Sequence, residues 1–180
     1  MLSPREKADL IKAEAHRLGF LACGIARAGF LEAEAPQLER WLRHKQHGEM
    51  AYMANHFDLR LDPRKLVEGA KSVISLAYNY HTPPQQLDPS APKLSTYAYG
   101  RDYHKVLKKR LKPLMTLITE RFGAVNMRAF VDSGPVLEKA WAQRSAHGLT
   151  PFFAVGGARL LLAAAERRGL SIRTARIDDP

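Results

Sequence analysis

Residues 130–144, FVDSGPVLEKAWAQR, end an apolar pair, Phe130 and Val131, on a carboxylate, Asp132. Ser-Gly-Pro then turns the chain before a helical pattern begins. Two readings of that acid stand side by side. As the residue ahead of a helix, Asp132 caps it, its side-chain oxygen accepting a backbone N–H of the first turn. As a carboxyl group fixed at the end of a buried strand, it is placed to hand a proton to a reacting atom. An apolar partner excluding water would raise its pKa and keep it protonated near neutrality, whereas a helix start just behind it would favour the carboxylate. Glu138 and Arg144, further along, read as ordinary surface pairs.

A second candidate lies on the helix predicted from Asp102, DYHKVLKKRLKPLMTLITERFG. At roughly 100° per residue, Tyr103, Val106, Leu107, Leu111 and Leu114 fall on one side and Lys105, Lys108, Lys109 and Lys112 on the other. Four ammonium groups on one stripe suit a nucleic-acid backbone; the same stripe is also what an ordinary solvated helix face looks like. The net charge of +10, from 28 Lys and Arg against 18 Asp and Glu, keeps the polyanion reading in view. Tyr103 reads as core packing and His104 as an exposed residue of the first helical turn. Asp102 is a plausible N-cap, and Pro113 is expected to kink or split the helix.

These residues need elements to hold them. Ser3, Pro4 and Glu6 form a capping-box start for a helix over 3–18, with Leu10, Ile11, Ala15 and Leu18 on one face and Gly19 closing it. FLACGIA (20–26) reads as a short buried strand. Residues 36–55 read as helical with a break at Gly48. LRLDPRKLVEGA reads as loop and short helix. SVISLAYNY (72–80) is the clearest strand, apolar enough to be covered on both faces. HTPPQQLDPSAP is a proline-rich loop flanking a site, KLSTYAYG a strand, VNMRAFVD a strand, and PVLEKAWAQRSAHG a helix. Strands alternating with helices predict an α/β fold, with α+β as the alternative, built on a mixed sheet with flanking helices.

Composition bounds the class. A chain of 180 residues with 46% hydrophobic and 26% charged residues builds one ordinary core rather than a disordered polymer. No apolar run approaches the roughly 20 residues of a membrane span. The charged start, MLSPREKADL, lacks the apolar segment of a signal peptide. One cysteine, Cys23, excludes an intrachain disulfide and a self-contained cysteine cluster. A cytoplasmic monomer without a membrane partner is expected.

Three stretches, LRLDPRKLVEGAKSVISLAYNY, STYAYGRDYHKVLKKRL and FVDSGPVLEKAWAQR, together resemble the N-terminal part of the tRNA epoxyqueuosine reductases. That family comprises cobalamin-dependent iron–sulfur enzymes related to reductive dehalogenases. The resemblance implies removal of the epoxide oxygen of epoxyqueuosine at the tRNA wobble position, giving queuosine. A low-valent corrinoid supplies the reducing power, and 4Fe-4S clusters and an electron donor feed it. It implies a proton-donor role for Asp132 and a cobalamin contact for Arg60 in LRLDP. Ser95 takes a corrin-contacting position filled by cysteine in some relatives, and Tyr103 and His104 fall near the pocket. tRNA is the implied partner of Lys105, Lys108, Lys109 and Lys112.

The resemblance covers about residues 1–144. Family members usually continue with a glycine-rich run and then C-x-x-C-x-x-C-x-x-x-C-P. This chain instead reads SAHGLTPFFAVGGARLLLAAAERRGLSIRTARIDDP. Residues 145–180 are therefore expected to be a divergent tail outside the family pattern, left by truncation or a frameshift. The alternative is a genuine helix over ARLLLAAAERRG followed by a strand over SIRTARI. One cysteine cannot supply two clusters. Three functions follow as expectations. The first is an incomplete epoxyqueuosine reductase. The second is a noncatalytic tRNA- or corrinoid-binding fragment. The third is a related corrinoid reductase of a small organic substrate.

Overall fold

The computed structural model describes residues 2–79, 88, 90–93, 98, 100–145 and, as backbone, 157–165. Helix α1 spans Pro4–Arg17. Its capping box is formed in both directions: the Ser3 N–H donates to Glu6 Oε2 at 2.7 Å, and the Glu6 N–H to Ser3 Oγ at 3.3 Å. Gly19 closes it with φ of 84°. Ile11 and Ala15 are buried as expected, but Leu10 is exposed. Strand β1 is Ala22–Arg27.

Helix α2 covers only Ala35–Arg43, so the helix ends before Gly48. The chain leaves it at His44, and Lys45 takes a left-handed φ of 52°. A 3₁₀ turn at Ala51–Met53, helix α3 at Phe57–Leu61 and a 3₁₀ turn at Pro63–Lys65 follow. Strand β2 is Ala70–Asn79. Helix α4, Tyr103–Phe122, runs unbroken through Pro113, so the expected split does not occur. Strand β3 is Asn126–Val131, helix α5 is Glu138–Ser145 and strand β4 is Gly157–Ala165. The helix expected over ARLLLAAAERRG is thus a strand in its described part. The strands expected over KLSTYAYG and SIRTARI lie mainly or wholly outside the described residues.

The sheet order is β1-β2-β4-β3. Every described pairing is antiparallel, with Ile25 opposite Ile74, Leu76 opposite Leu160, and Leu160 opposite Val131. The helix-and-sheet architecture holds, but the sheet is antiparallel rather than mixed.

Helices cover both faces. Neighbouring residues of one strand point to opposite sides, and the core divides accordingly. Ile25, Ile74 and Val131 pack with Ile11 of α1 and Leu107, Leu111, Leu114 and Ile118 of α4. Ala26, Val73 and Phe130 pack with Leu31, Leu38 of α2, Leu61 of α3 and Trp141 of α5. This explains the apolar pair Phe130–Val131: one residue feeds each layer. Among the described residues no helix is long and apolar enough to cross a membrane.

Candidate active site

Asp132 is the first residue after β3. It does not cap α5, which begins six residues later at Glu138. The intervening loop is held by packing. Gly134 lies against the ring of Phe130, where an added Cβ would clash. The Val136 N–H donates to Gly134 O at 2.8 Å, and the Val136 side chain is buried. Asp132 itself is exposed and has a φ of 52°. Asp enters that left-handed region more readily than most residues, at a cost of about 1–3 kcal/mol.

Two hydrogen bonds fix Asp132. The Tyr103 hydroxyl donates to Oδ2 at 2.7 Å. The Asp132 N–H donates to Glu138 Oε1 at 3.0 Å. A hydrogen bond to a charged acceptor is worth about 1.5–3 kcal/mol, and less where solvent reaches it. The Glu138 bond, which solvent reaches, therefore offsets part of the backbone cost. Glu138, read from the sequence as an ordinary surface-pair residue, accepts this backbone N–H. Arg144 instead ties α5 to the segment before α2: it bonds Glu34 Oε2 at 2.9 Å, and its guanidinium lies over the Trp141 ring at 5.8 Å.

Asp132 opens on a cleft of about 1390 Å³. Its walls come from α2 (Leu38, Trp41), the 52–60 segment (Tyr52, His56, Arg60) and the loop and first turn of α5. This exceeds the roughly 300–1,000 Å³ of drug-sized sites, so its size suits a macrocycle or part of a polymer. Arg60 is 8% exposed. It donates through Nε to Asn55 O at 3.1 Å and through Nη2 to Tyr52 O at 3.0 Å, and thereby shapes the wall. Burial pulls its guanidinium below the usual value. Arg60 and Asp132 thus line one cleft, and Tyr103 joins them through Asp132.

His104 stands beside Tyr103 at the start of α4. Its N–H and Nδ1 lie 2.9 and 3.1 Å from Asp102 Oδ1, and its ring stacks on Tyr103 at 4.1 Å. Asp102 is the N-cap of α4, as expected. Desolvation pushes its carboxyl up, but the backbone and side-chain bonds of His104 outweigh it, and the net shift is downward. Lys105, Lys108, Lys109 and Lys112 are all exposed on the outer face of α4, beginning two residues beyond Tyr103. Ser95 lies outside the described residues. Glu138 escaped sequence reasoning because an acid six residues away across a loop matches no local motif. The Tyr103–Asp132 bond joins residues 29 apart and has no local signature either.

Fold and site define a helix-covered sheet protein that carries a positioned loop carboxylate over a large cleft. Residues 60–133 match the family model described as Epoxyqueuosine reductase QueG, DUF1730. The chain is a relative of the epoxyqueuosine reductases. An epoxyqueuosine reductase of Cellulophaga algicola is 60% identical over 148 residues, covering 82% of this chain and 48% of that protein. The epoxyqueuosine reductase structure from Streptococcus thermophilus superposes with a TM-score of 0.78 at 23% identity, covering 95% of this chain and 48% of that one. A crystal structure of epoxyqueuosine reductase with an epoxyqueuosine-modified tRNA stem loop gives a TM-score of 0.72 at 19% identity, covering 90% and 46%. The chain spans about half the length of the curated relatives it matches.

Proposed function

We propose that this chain carries the proton-delivering part of an oxidoreductase that reduces epoxyqueuosine to queuosine in tRNA. The observation that supports this most is Asp132, inside the matched stretch, held by Tyr103 at the mouth of a cleft of macrocyclic size. Removing the epoxide oxygen as water breaks both C–O bonds and consumes two electrons and two protons. The ring-opened oxygen is a poor leaving group until protonated, and an adjacent carboxyl group typically speeds such a step by about 10²–10⁴-fold. Tyr103 holds the carboxyl group through Oδ2, and Oδ1 is the oxygen proposed to face the substrate.

The cleft fits a corrinoid in size and in its mix of apolar and polar walls. Arg60 and the Asp132 loop would hold one edge, and a corrinoid bound there would supply the electrons. Iron–sulfur ligation does not fit this chain: burial pushes its single thiol, Cys23, up to about 12, and cluster ligands are thiolates. The exposed Lys105, Lys108, Lys109 and Lys112 are proposed to contact tRNA phosphates, with the cytoplasm as the proposed place of action. A second reading, a tRNA- or corrinoid-binding unit without turnover of its own, is favoured by that single cysteine.

The test supplies cobalamin, a strong reductant and epoxyqueuosine-containing tRNA, and follows loss of one oxygen from the nucleoside by mass spectrometry. It is run on this chain and on a chimera in which residues 1–144 are followed by the remainder of a curated relative. Turnover by the chimera alone favours the binding-unit reading for the chain itself. No turnover by either, with the relative active, sinks the proposal.

A further inference from the structure

Packing anchors the loop between β3 and α5 before and after its exposed first residue, Asp132. Val131 is in the core, Val136 is buried, and the Trp141 N–H donates to Leu137 O at 3.1 Å as α5 opens. Asp132 is exposed and left-handed, with a φ of 52°. Its bond from Tyr103 acts on the side chain, whereas the bond to Glu138 acts on the backbone. A residue released from the left-handed region returns to negative φ. That rotation redirects Cα–Cβ and takes the carboxylate away from Tyr103.

We propose that Glu138 is a positioning residue for Asp132: by accepting the Asp132 N–H across the 133–137 loop, its carboxylate fixes the backbone conformation that places the Asp132 side chain on Tyr103. The value of this placement for proton delivery rests on the reductase reading. The placement itself does not.

The experiment is amide hydrogen exchange and carboxyl-carbon NMR on the whole chain, comparing wild type with Glu138→Ala and Glu138→Gln. The wild-type Asp132 amide, although on an exposed residue, is expected to exchange at least about tenfold more slowly than an open amide. Glu138→Ala is expected to abolish that protection and to shift the Asp132 carboxyl signal, while the Ile74 amide in β2 keeps its own. Glu138→Gln retains an acceptor oxygen and is expected to restore the carboxyl signal and part of the protection. A wild-type Asp132 amide that exchanges like an open one overturns the proposal, even if Glu138→Ala fails to fold. So does an Asp132 carboxyl signal unchanged in a folded Glu138→Ala. Either result leaves the reductase reading to its own turnover assay.

Discussion

The Tyr103 hydroxyl, on the first residue of α4, reaches 2.7 Å to Oδ2 of Asp132, the first residue after β3. This bond sets one end of the basic helix beside the proposed acid. Tyr103→Phe removes the bond while leaving the ring that stacks on His104. Loss of a hydrogen bond costs about 0.5–1.5 kcal/mol. We expect a small drop in melting temperature and a fall in deoxygenation by the chimera of up to about tenfold, seen in single-turnover rates.

Asp132→Asn is expected to remove most epoxide reduction, about 10²–10⁴-fold. Asn tolerates the left-handed backbone about as well as Asp, and its oxygen still accepts from Tyr103, so the thermal unfolding curve should barely move. Turnover near normal in this variant would place the proton donor elsewhere.

Replacing Lys105, Lys109 and Lys112 by Gln tests the outer face of α4. If each meets a phosphate, the slope of log affinity against log salt should flatten by roughly 0.7–0.9 for every phosphate left without its lysine. An unchanged slope across a salt titration returns the stripe to a solvated surface.

Asp62 supplies a pH dependence. Its side chain is 8% exposed, and it receives Arg64 Nη2 at 2.7 Å and the Arg64 N–H at 3.0 Å. The Arg64 side-chain bond, against desolvation, holds its carboxyl below the usual value. A depressed folded-state pKa contributes stability above the unfolded value of about 3.9, and that stability is lost as pH falls through the folded one. Asp62→Asn keeps an acceptor for the backbone N–H and removes the charge. The stability gap between wild type and variant, measured by denaturant melts, should be full at pH 7 and shrink below about pH 4.

Cys23, pushed up to about 12 by burial against a smaller opposing effect of Lys12, should resist thiol reagents in the native protein. The thiolate fraction at pH 8 falls by about 10³-fold relative to an open cysteine near 8.5. A disulfide reagent should label Cys23, which is half-buried, far more slowly in the native protein than in the unfolded chain. Fast labelling at zero denaturant would contradict this.

Local chemistry was legible where it was self-contained. Ser3 and Glu6 announce α1, Asp102 announces α4, and the unbroken apolar run announces β2. Asp132 was found as a residue, but its cap reading failed because Gly134 and Val136 commit the next turn to the core before the helix can begin. GARLLLAAA has the Ala and Leu of a good helix, yet it pairs with two strands at once, and tertiary context overrides propensity. The hydrogen bonds at Asp132 come from residues that only the fold brings near.

The place of β4 also governs how this protein folds. It is the last in sequence of the four described strands and lies between β2 and β3. During synthesis β1 and β2 can pair early, but among the described strands β3 meets its neighbour only when β4 emerges. Until then two unpaired strand edges face each other across an open slot, the kind of surface that templates aggregation. Closing it joins residues 73 and 163, or 128 and 163, a distant pairing that slows folding. The nascent chain therefore depends on β4 arriving promptly, and a chain shortened before Gly157 should be found in inclusion bodies or on chaperones rather than as a soluble smaller domain.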